Sequence, residues 1–389
     1  MIRTAGRHGF TGASFFCNEG TMTKKNGRLN TSSLIDLINK KAGETLAYDL
    51  TKDNPTEVKQ WIPTGSTWLN KIICVGNTSA GIPVGKVTEL AGLESSGKSF
   101  MAAQIAANAQ KMGFQVVYFD SESAISPGFL EQAGCDLGKV TYVQAKTVEY
   151  VFETMEYLIG ELDIGIVFIW DSVAQTPTRK MLDEDYDPQS SIGYKARVLS
   201  KAMKKMTIPL ANSQSTLLAL NQLKTNITTD RASLLTEPYV TPGGKALPYS
   251  YSLRIWLTMR KAKASYVTNE YGLKVGSEVK ARIKKSRFGS MGRECTFKIL
   301  WGNDVGIQDE ESWFEAIQSS EHVQRSGAWY TLLFSDGTSE KFQFTKWAEK
   351  MKNEKFKSRV LEIMDEIVVQ SWHPLGENNL NENISLVVE

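Results

Sequence analysis

Eight residues, Gly92-Leu93-Glu94-Ser95-Ser96-Gly97-Lys98-Ser99, constrain this chain more than any other stretch. They satisfy G-x-x-x-x-G-K-[ST], and their flanks suit it: residues 87–91 read as a short buried strand, and residues 100–110 are Ala-rich and free of Gly and Pro, as a helix would be. A strand that turns through glycines into a helix N-terminus is an anion site, because backbone N–H groups and the positive end of the helix dipole converge there. The pattern predicts that these eight residues cradle nucleotide phosphates. Lys98 would reach the β- and γ-phosphates, and the Ser99 hydroxyl would hold Mg²⁺.

The 389 residues suffice for one large α/β core with one or two small flanking units. With 41% hydrophobic and 23% charged residues the composition is that of an ordinary globular protein. No run approaches the roughly 18 apolar residues of a membrane span, and the first residues lack a secretory apolar stretch. Cys17, Cys74, Cys135 and Cys295 are scattered and only three histidines are present, so no zinc spacing arises and a reduced, cytoplasmic protein is expected. A net charge of +2 means that any nucleic-acid binding must come from local patches.

Residues 1–30 show no periodicity and are expected to be disordered or untranslated, with Met22 as the natural start because Glu19-Gly20 can encode a ribosome-binding element. Ser32 or Ser33 is expected to cap a helix over residues 34–41, with Asp36 in its first turn and Gly43 stopping it. Residues 45–50 read as an isolated strand, which would need another sheet to satisfy its edges. From 61 to 304, strands and helices alternate, predicting a mostly parallel sheet with helices on both faces. Residues 305–372 read as a small α+β unit with helices over 310–319 and 346–369 and a hairpin of 328–334 with 341–344; 373–389 read as a flexible tail.

Two apolar runs, Gln115–Asp120 and 164–171, end in acids, as buried parallel strands with a functional C-terminal edge do. Asp171 fits an acid that orients Mg²⁺ through water. Glu122, just past its strand, could polarise a water at the γ-phosphate, with Asp120 as the competing base. Gln222 ends the next strand, where an amide can report the γ-phosphate; against all three stands the simpler role of capping a helix. Arg197, Lys201 and Lys204 form one stripe of a helix, with Lys205 beside it and Val198, Leu199, Ala202, Met203 and Met206 opposite, which suits a nucleic-acid face or a merely solvated one. A later basic run, Arg260 to Lys263, is a weaker candidate.

Several motifs in fixed order carry a family resemblance: Ala91 to Ser99 with its Glu-Ser-Ser-Gly-Lys centre, Ile62-Pro-Thr-Gly-Ser66, Ile82-Pro-Val-Gly-Lys86, Phe119-Asp-Ser-Glu-Ser-Ala124, Asp171-Ser-Val-Ala174, Leu220-Asn-Gln222, Gly243-Gly-Lys-Ala-Leu247 and Gly327-Ala-Trp-Tyr330. Over roughly residues 32–372 the chain resembles a RecA-family DNA recombinase, and Lys285-Ser-Arg287 is similar to the bacteriophage UvsX branch. The resemblance implies a RecA-type ATPase core using ATP and Mg²⁺, with Glu122 as catalytic glutamate, Asp171 as the Mg²⁺-orienting acid, Gln222 as ATP sensor and Phe129 stacked on adenine. It implies a first DNA loop near 182–192, with Ile192 wedging between bases, and Arg197, Ser200 and Lys204 on phosphates. It places a second loop at 223–242 and, in this region, DNA contacts from Lys224, Arg231, Gly243, Gly244 and Lys245. Lys285 and Arg287 would enter a neighbouring subunit's ATP site, and the strand at 45–50 would dock on that neighbour. The implied activity is homologous pairing and strand exchange by a helical filament on single-stranded DNA. Its partners would be homologous duplex DNA, a single-strand-binding protein and a loading mediator. A ring helicase on the same core and a non-catalytic mediator that binds ATP as a scaffold are the alternatives.

Overall fold

The computed structural model describes residues 30–75, 78–183, 193–227, 237–244, 247–259, 265–301 and 305–370. Met22, Ile192, Arg231, Lys245, the run from Arg260 to Lys263, most of the first loop and the tail lie outside the described residues. The chain divides into two compact units, Met1–Pro55 and Thr56–Glu389.

In the first unit, α1 (Thr31–Ala42) is capped by Asn30, whose Oδ1 accepts from the Ser33 N–H, and stops at Gly43 in the left-handed region. The expected cap at Ser32 or Ser33 is thus displaced: Asn30 reaches the free N–H first, so the helix starts earlier and Asp36 falls beyond its first turn. Residues 45–50 form no strand, correcting that expectation. Asn39 instead pins the extended chain, accepting from the Leu46 and Ala47 N–H groups and donating to the Ala47 carbonyl, because among the described residues no strand edge pairs with it. Leu34, Leu37, Ile38, Leu46 and Leu50 are left exposed.

The second unit begins with α2 (Thr67–Ile72) between the paired strands β1 (Trp61–Ile62) and β2 (Ile82–Pro83). There follow in alternation β3 (Val87–Gly92), α3 (Lys98–Lys111), β4 (Gln115–Asp120), α4 (Pro127–Gln132), β5 (Val140–Gln144), α5 (Val148–Glu161), β6 (Ile166–Asp171), α6 (Arg179–Asp183), α7 (Tyr194–Asn212) and β7 (Thr216–Gln222). Next come the two-residue strands β8 (Lys224–Thr225) and β9 (Tyr239–Val240), then β10 (Leu253–Thr258), β11 (Tyr266–Thr268), β12 (Lys274–Ser286), β13 (Glu294–Leu300) and β14 (Gly306–Gln308). A ten-stranded sheet runs β14-β13-β12-β10-β3-β7-β6-β4-β5, with β11 on β12. From β5 to β10 every pairing is parallel, and from β10 to β14 every pairing is antiparallel.

The parallel strands read as unbroken apolar runs because each feeds two cores. Val116, Tyr118, Val167, Ile169, Leu218 and Leu220 face the α2–α3 side, while Val117, Phe119, Phe168, Trp170, Leu217 and Ala219 face α5 and α7. This two-sided burial is the expected condition of a parallel sheet covered by helices. The sheet takes in Gly306–Gln308, so it continues past residue 304. Beyond it, β15 (Val323–Ser326), β16 (Trp329–Leu333) and β17 (Ser339–Gln343) form an antiparallel meander covered by helices Trp313–Ile317, Trp347–Lys350 and Glu354–Met364. The two long helices expected here are therefore shorter and divided: Lys346–Val369 breaks after Lys350, where Asn353 recaps the chain by accepting from the Lys355 and Phe356 N–H groups. Among the described residues no helix is long and apolar enough to cross a membrane.

Candidate functional site

The parallel half of the sheet delivers its functional side chains to one edge. β3 ends at Gly92 and the chain turns through Ser95 (φ 57°) and Gly97 (φ 82°) into α3. Gly97 is required twice over: its backbone lies in the left-handed region, and a Cβ there would meet Ile299 Cδ1 at 2.2 Å. Lys98 Nζ donates to the loop's own carbonyls at Leu93 (2.8 Å) and Gly92 (3.2 Å), which holds the ammonium over the cradle. Ser96 Oγ donates to Leu93 O at 2.7 Å and closes the turn.

Because β4 and β6 are in register, Asp120 and Asp171 stand side by side at the strand ends. Asp171 Oδ2 accepts from Ser99 Oγ (2.8 Å) and from the buried Tyr118 hydroxyl (3.1 Å). Burial pushes the Asp171 carboxyl up, those two hydroxyls pull it down, and Glu122 and Asp120 push it up again. Burial also depresses Lys98, against the attraction of Asp171, Glu122 and Glu94. A pocket with Ser99 and Asp171 oxygens together and two further carboxylates beside them suits a hard divalent cation, which would relieve the crowding of negative charge.

Glu122 and Asp120 are now distinguishable. Asp120 is 2% exposed; its Oδ1 accepts from the Glu122 N–H (2.9 Å), and its Oδ2 accepts from the Ile125 N–H (3.2 Å) and the Tyr142 hydroxyl (3.3 Å). It shapes the loop that carries Glu122. Glu122 itself is exposed, with Oε1 accepting from Ser172 Oγ at 3.0 Å, so its carboxylate remains open to a water. Gln222 lies directly beside Gly92 in the β3–β7 pairing, at the head of the cradle.

A cavity of about 490 Å³ opens beside the cradle, with Phe129 on one wall and Ile299 and Trp301 on another. Phe129 lies edge-on to Phe100, with ring centroids 6.0 Å apart. Ile299, Trp301 and Lys274, whose ammonium sits 3.9 Å over the Tyr266 ring and 5.3 Å over Trp301, come from the antiparallel half, and no sequence motif marks them. Their only local signal is that Trp301 directly follows β13 as Glu122 closely follows β4.

The basic helix forms as expected and runs further, to Asn212. Leu199, Met203 and Met206 are buried, and Arg197, Lys201 and Lys204 are exposed. Lys205 leaves the stripe, since its ammonium is 2.6 Å from Glu156 on α5. Lys195 Nζ donates to Ala174 O (2.7 Å), and burial together with the Lys224 ammonium, which lies near it where α7 meets the second loop, lowers its pKa to about 8. Gly244 (φ 83°) completes that junction: a Cβ there would lie 2.7 Å from Ala196 Cβ on α7. Arg197, Lys224, Gly243 and Gly244 are therefore gathered around the start of α7, whereas Ser200 and Lys204 line a second cavity of about 650 Å³ together with Lys86 and Arg287.

Lys285 and Arg287 are not at this chain's own cradle. Leu253 pairs with Ser286 and with Thr88, so the pair sits at the opposite, N-terminal edge of the parallel strands. Lys285 Nζ donates to Pro248 O (2.8 Å) and Tyr249 O (3.2 Å), and Arg287 Nη2 to Tyr249 O (3.0 Å). Burial depresses Lys285, as do Arg287 and Arg254.

Comparison with known proteins converges on one family. The family model of the RecA N-terminal domain matches residues 30–307. Protein RecA of Bifidobacterium breve is 31% identical over 310 residues, 79% of this chain and 74% of that protein. Protein RecA of Streptomyces avermitilis is 32% identical over 281 residues (72% and 70%), and that of Frankia alni 34% over 274 residues (70% and 74%). With the cradle at Gly92, the acids at the neighbouring strand ends and an α/β core matched over most of its length, this chain belongs to the RecA family.

Proposed function

We propose that the chain is an ATP-dependent recombinase that binds single-stranded DNA, polymerises along it and exchanges strands with a homologous duplex. The observation that carries this reading is the continuity of β7: Gln222 stands beside Gly92, the next residues form the stem of the second loop, and the loop's exit at Gly244 packs on the basic helix. A strand that lies beside the phosphate cradle and runs on into the stem of the second loop is suited to coupling ATP to DNA.

Bound Mg²⁺, held by Ser99 and Asp171, would neutralise charge on the phosphates. Lys98 binds and orients the phosphates, Glu122 takes the proton from an attacking water, and Phe129, Ile299 and Trp301 exclude solvent from the base. Gln222 reads the γ-phosphate. Arg197, Ser200, Lys204 and Lys224 contact DNA phosphates without reading sequence, as a protein acting on arbitrary DNA requires.

Filament formation is supported by three features. Lys285 and Arg287 lie at the edge of the parallel strands opposite their own cradle, where a pair of cations suits a neighbour's triphosphate. Among the described residues β5 is a free sheet edge with Tyr142 exposed, and residues 45–50 are an extended segment whose leucines are uncovered. We further place the chain in the UvsX-like phage branch, acting in the host cytoplasm with a single-strand-binding protein and a loading mediator. Phosphate release with and without single-stranded DNA, combined with electron microscopy in a slowly hydrolysed ATP analogue, tests the proposal. DNA-stimulated hydrolysis and helical filaments are expected. Rings that unwind duplex DNA would make it a helicase, and no hydrolysis would make it a mediator.

A further inference from the structure

The second loop is rooted by side chains that the phosphate cradle does not use. Its stem pairs Lys224 with Val240 and Thr225 with Tyr239, and Asn226 closes it by donating its N–H to Pro238 O (2.9 Å) and its Nδ2 to Glu237 O (3.0 Å). Beneath the stem lies a buried ion pair. Glu89, in the middle of β3, is 0% exposed and Arg254 on β10 is 7% exposed; the two are in register, with Arg254 Nε 2.5 Å from Glu89 Oε2.

Arg254 and Asn221, both bound to Glu89, carry this network to the outgoing root of the loop. Arg254 Nη2 donates to Thr241 Oγ1 at 3.0 Å. Asn221 Nδ2 donates both to Glu89 Oε1 (3.0 Å) and to Pro242 O (3.1 Å), while Asn221 Oδ1 accepts from the Gln222 N–H (3.0 Å). The incoming root is tied as directly, by the Leu223 N–H donating to Gly92 O at 2.9 Å. Apolar contacts reinforce it: Ala91, Leu223 and Trp256 form a small buried cluster on which Leu93 of the cradle and Tyr239 of the stem both pack. Stability alone does not call for such a pair, since buried ion pairs can commonly be replaced by apolar residues without loss. Its value lies in what it holds.

We propose that Glu89, Arg254 and Asn221 are positioning residues that fasten the outgoing root of the DNA loop, Thr241 and Pro242, to the strand carrying the phosphate cradle, so that the loop's affinity for DNA follows the nucleotide state. The proposal rests on the recombinase reading above and adds the path by which it works. A displacement of Gln222 on gain or loss of a γ-phosphate pulls on Asn221, and Asn221 holds both Glu89 and the loop root. Such coupling is reciprocal: DNA must tighten nucleotide binding by the same factor as nucleotide tightens DNA binding.

Thr241 is half-buried, so its variants leave the core intact. Thr241→Val removes only the hydroxyl that Arg254 holds, and Thr241→Ser retains it. The full chain is titrated with fluorescent oligothymidylate in a slowly hydrolysed ATP analogue and in ADP, and with fluorescent nucleotide with and without DNA. In Thr241→Val the ratio of the two DNA affinities is expected to fall about ten-fold or more, the scale of one hydrogen bond to a charged group. The DNA-induced gain in nucleotide affinity falls equally, nucleotide affinity without DNA stays within about two-fold, and Thr241→Ser behaves as wild type. An unchanged ratio in Thr241→Val, or the same loss in Thr241→Ser, overturns the proposal. A wild-type ratio of one would overturn the recombinase reading itself and the inference with it.

Discussion

Glu122→Gln separates the proposed base from its neighbour Asp120. The substituted amide keeps an oxygen that can accept from Ser172 Oγ, and Glu122 is exposed, so the change leaves no buried group unpaired. The thermal midpoint should stay within about 2 °C of wild type. What disappears is the carboxylate that takes a proton from water, a contribution commonly worth ~10²–10⁴-fold, or about 2.7–5.4 kcal/mol of barrier. ATP affinity should hold, because Lys98, Ser99 and Asp171 are untouched. Asp120→Asn should behave in the opposite way. Asp120 accepts from two backbone N–H groups and the Tyr142 hydroxyl while almost wholly buried, and the amide replaces one accepting oxygen by a donor. A loss of about 1–3 kcal/mol of stability follows. The assays are phosphate release at saturating DNA, fluorescent-nucleotide titration and thermal unfolding on each variant. Glu122→Gln turning over within a few-fold of wild type would refute the assignment.

Arg197→Ala with Lys204→Ala should weaken single-stranded DNA binding for all sequences alike and flatten the salt slope of log affinity by roughly 0.7 per lost contact; an unchanged slope would make this a merely solvated face. In mixed assemblies a Lys98→Ala subunit should restore ATPase activity to a Lys285→Ala/Arg287→Ala subunit, since cations supplied across an interface can be worth ~10³–10⁵ in rate, and no recovery at any ratio despite co-polymerisation would show that the pair acts otherwise. Lys195, lowered to about 8, binds fewer protons folded than unfolded above that pH, so its charged form costs stability below pH 8 and that cost is relieved as pH rises toward the ordinary lysine range. Thermal unfolding from pH 7 to 10 should therefore show Lys195→Met losing ground to wild type as pH rises; parallel curves would disprove the shift.

The cradle, the acids at the ends of β4 and β6, Gln222 and the amphipathic stretch of α7 could all be read in one dimension. Each is local: a loop motif spans eight residues, a strand buried on both faces is an apolar run, and a helix repeats its exposed face every turn. The placement of Gln222 beside Gly92 was also foreseeable in kind, because both end parallel strands at the same edge. What no spacing announced were the partners brought from far along the chain. Trp301 and Lys274 reach the cavity beside the cradle only because the antiparallel strands fold back beside β3. Glu89 finds Arg254 only because β10 pairs with β3 at that register, and its neighbours along the strand look like any other apolar core. The same limit explains the corrections in the first unit: 45–50 has the composition of a strand, but a strand exists only where another edge supplies its hydrogen bonds. Local pattern determines which residues can serve a phosphate or a core. Register between distant strands determines which of them meet.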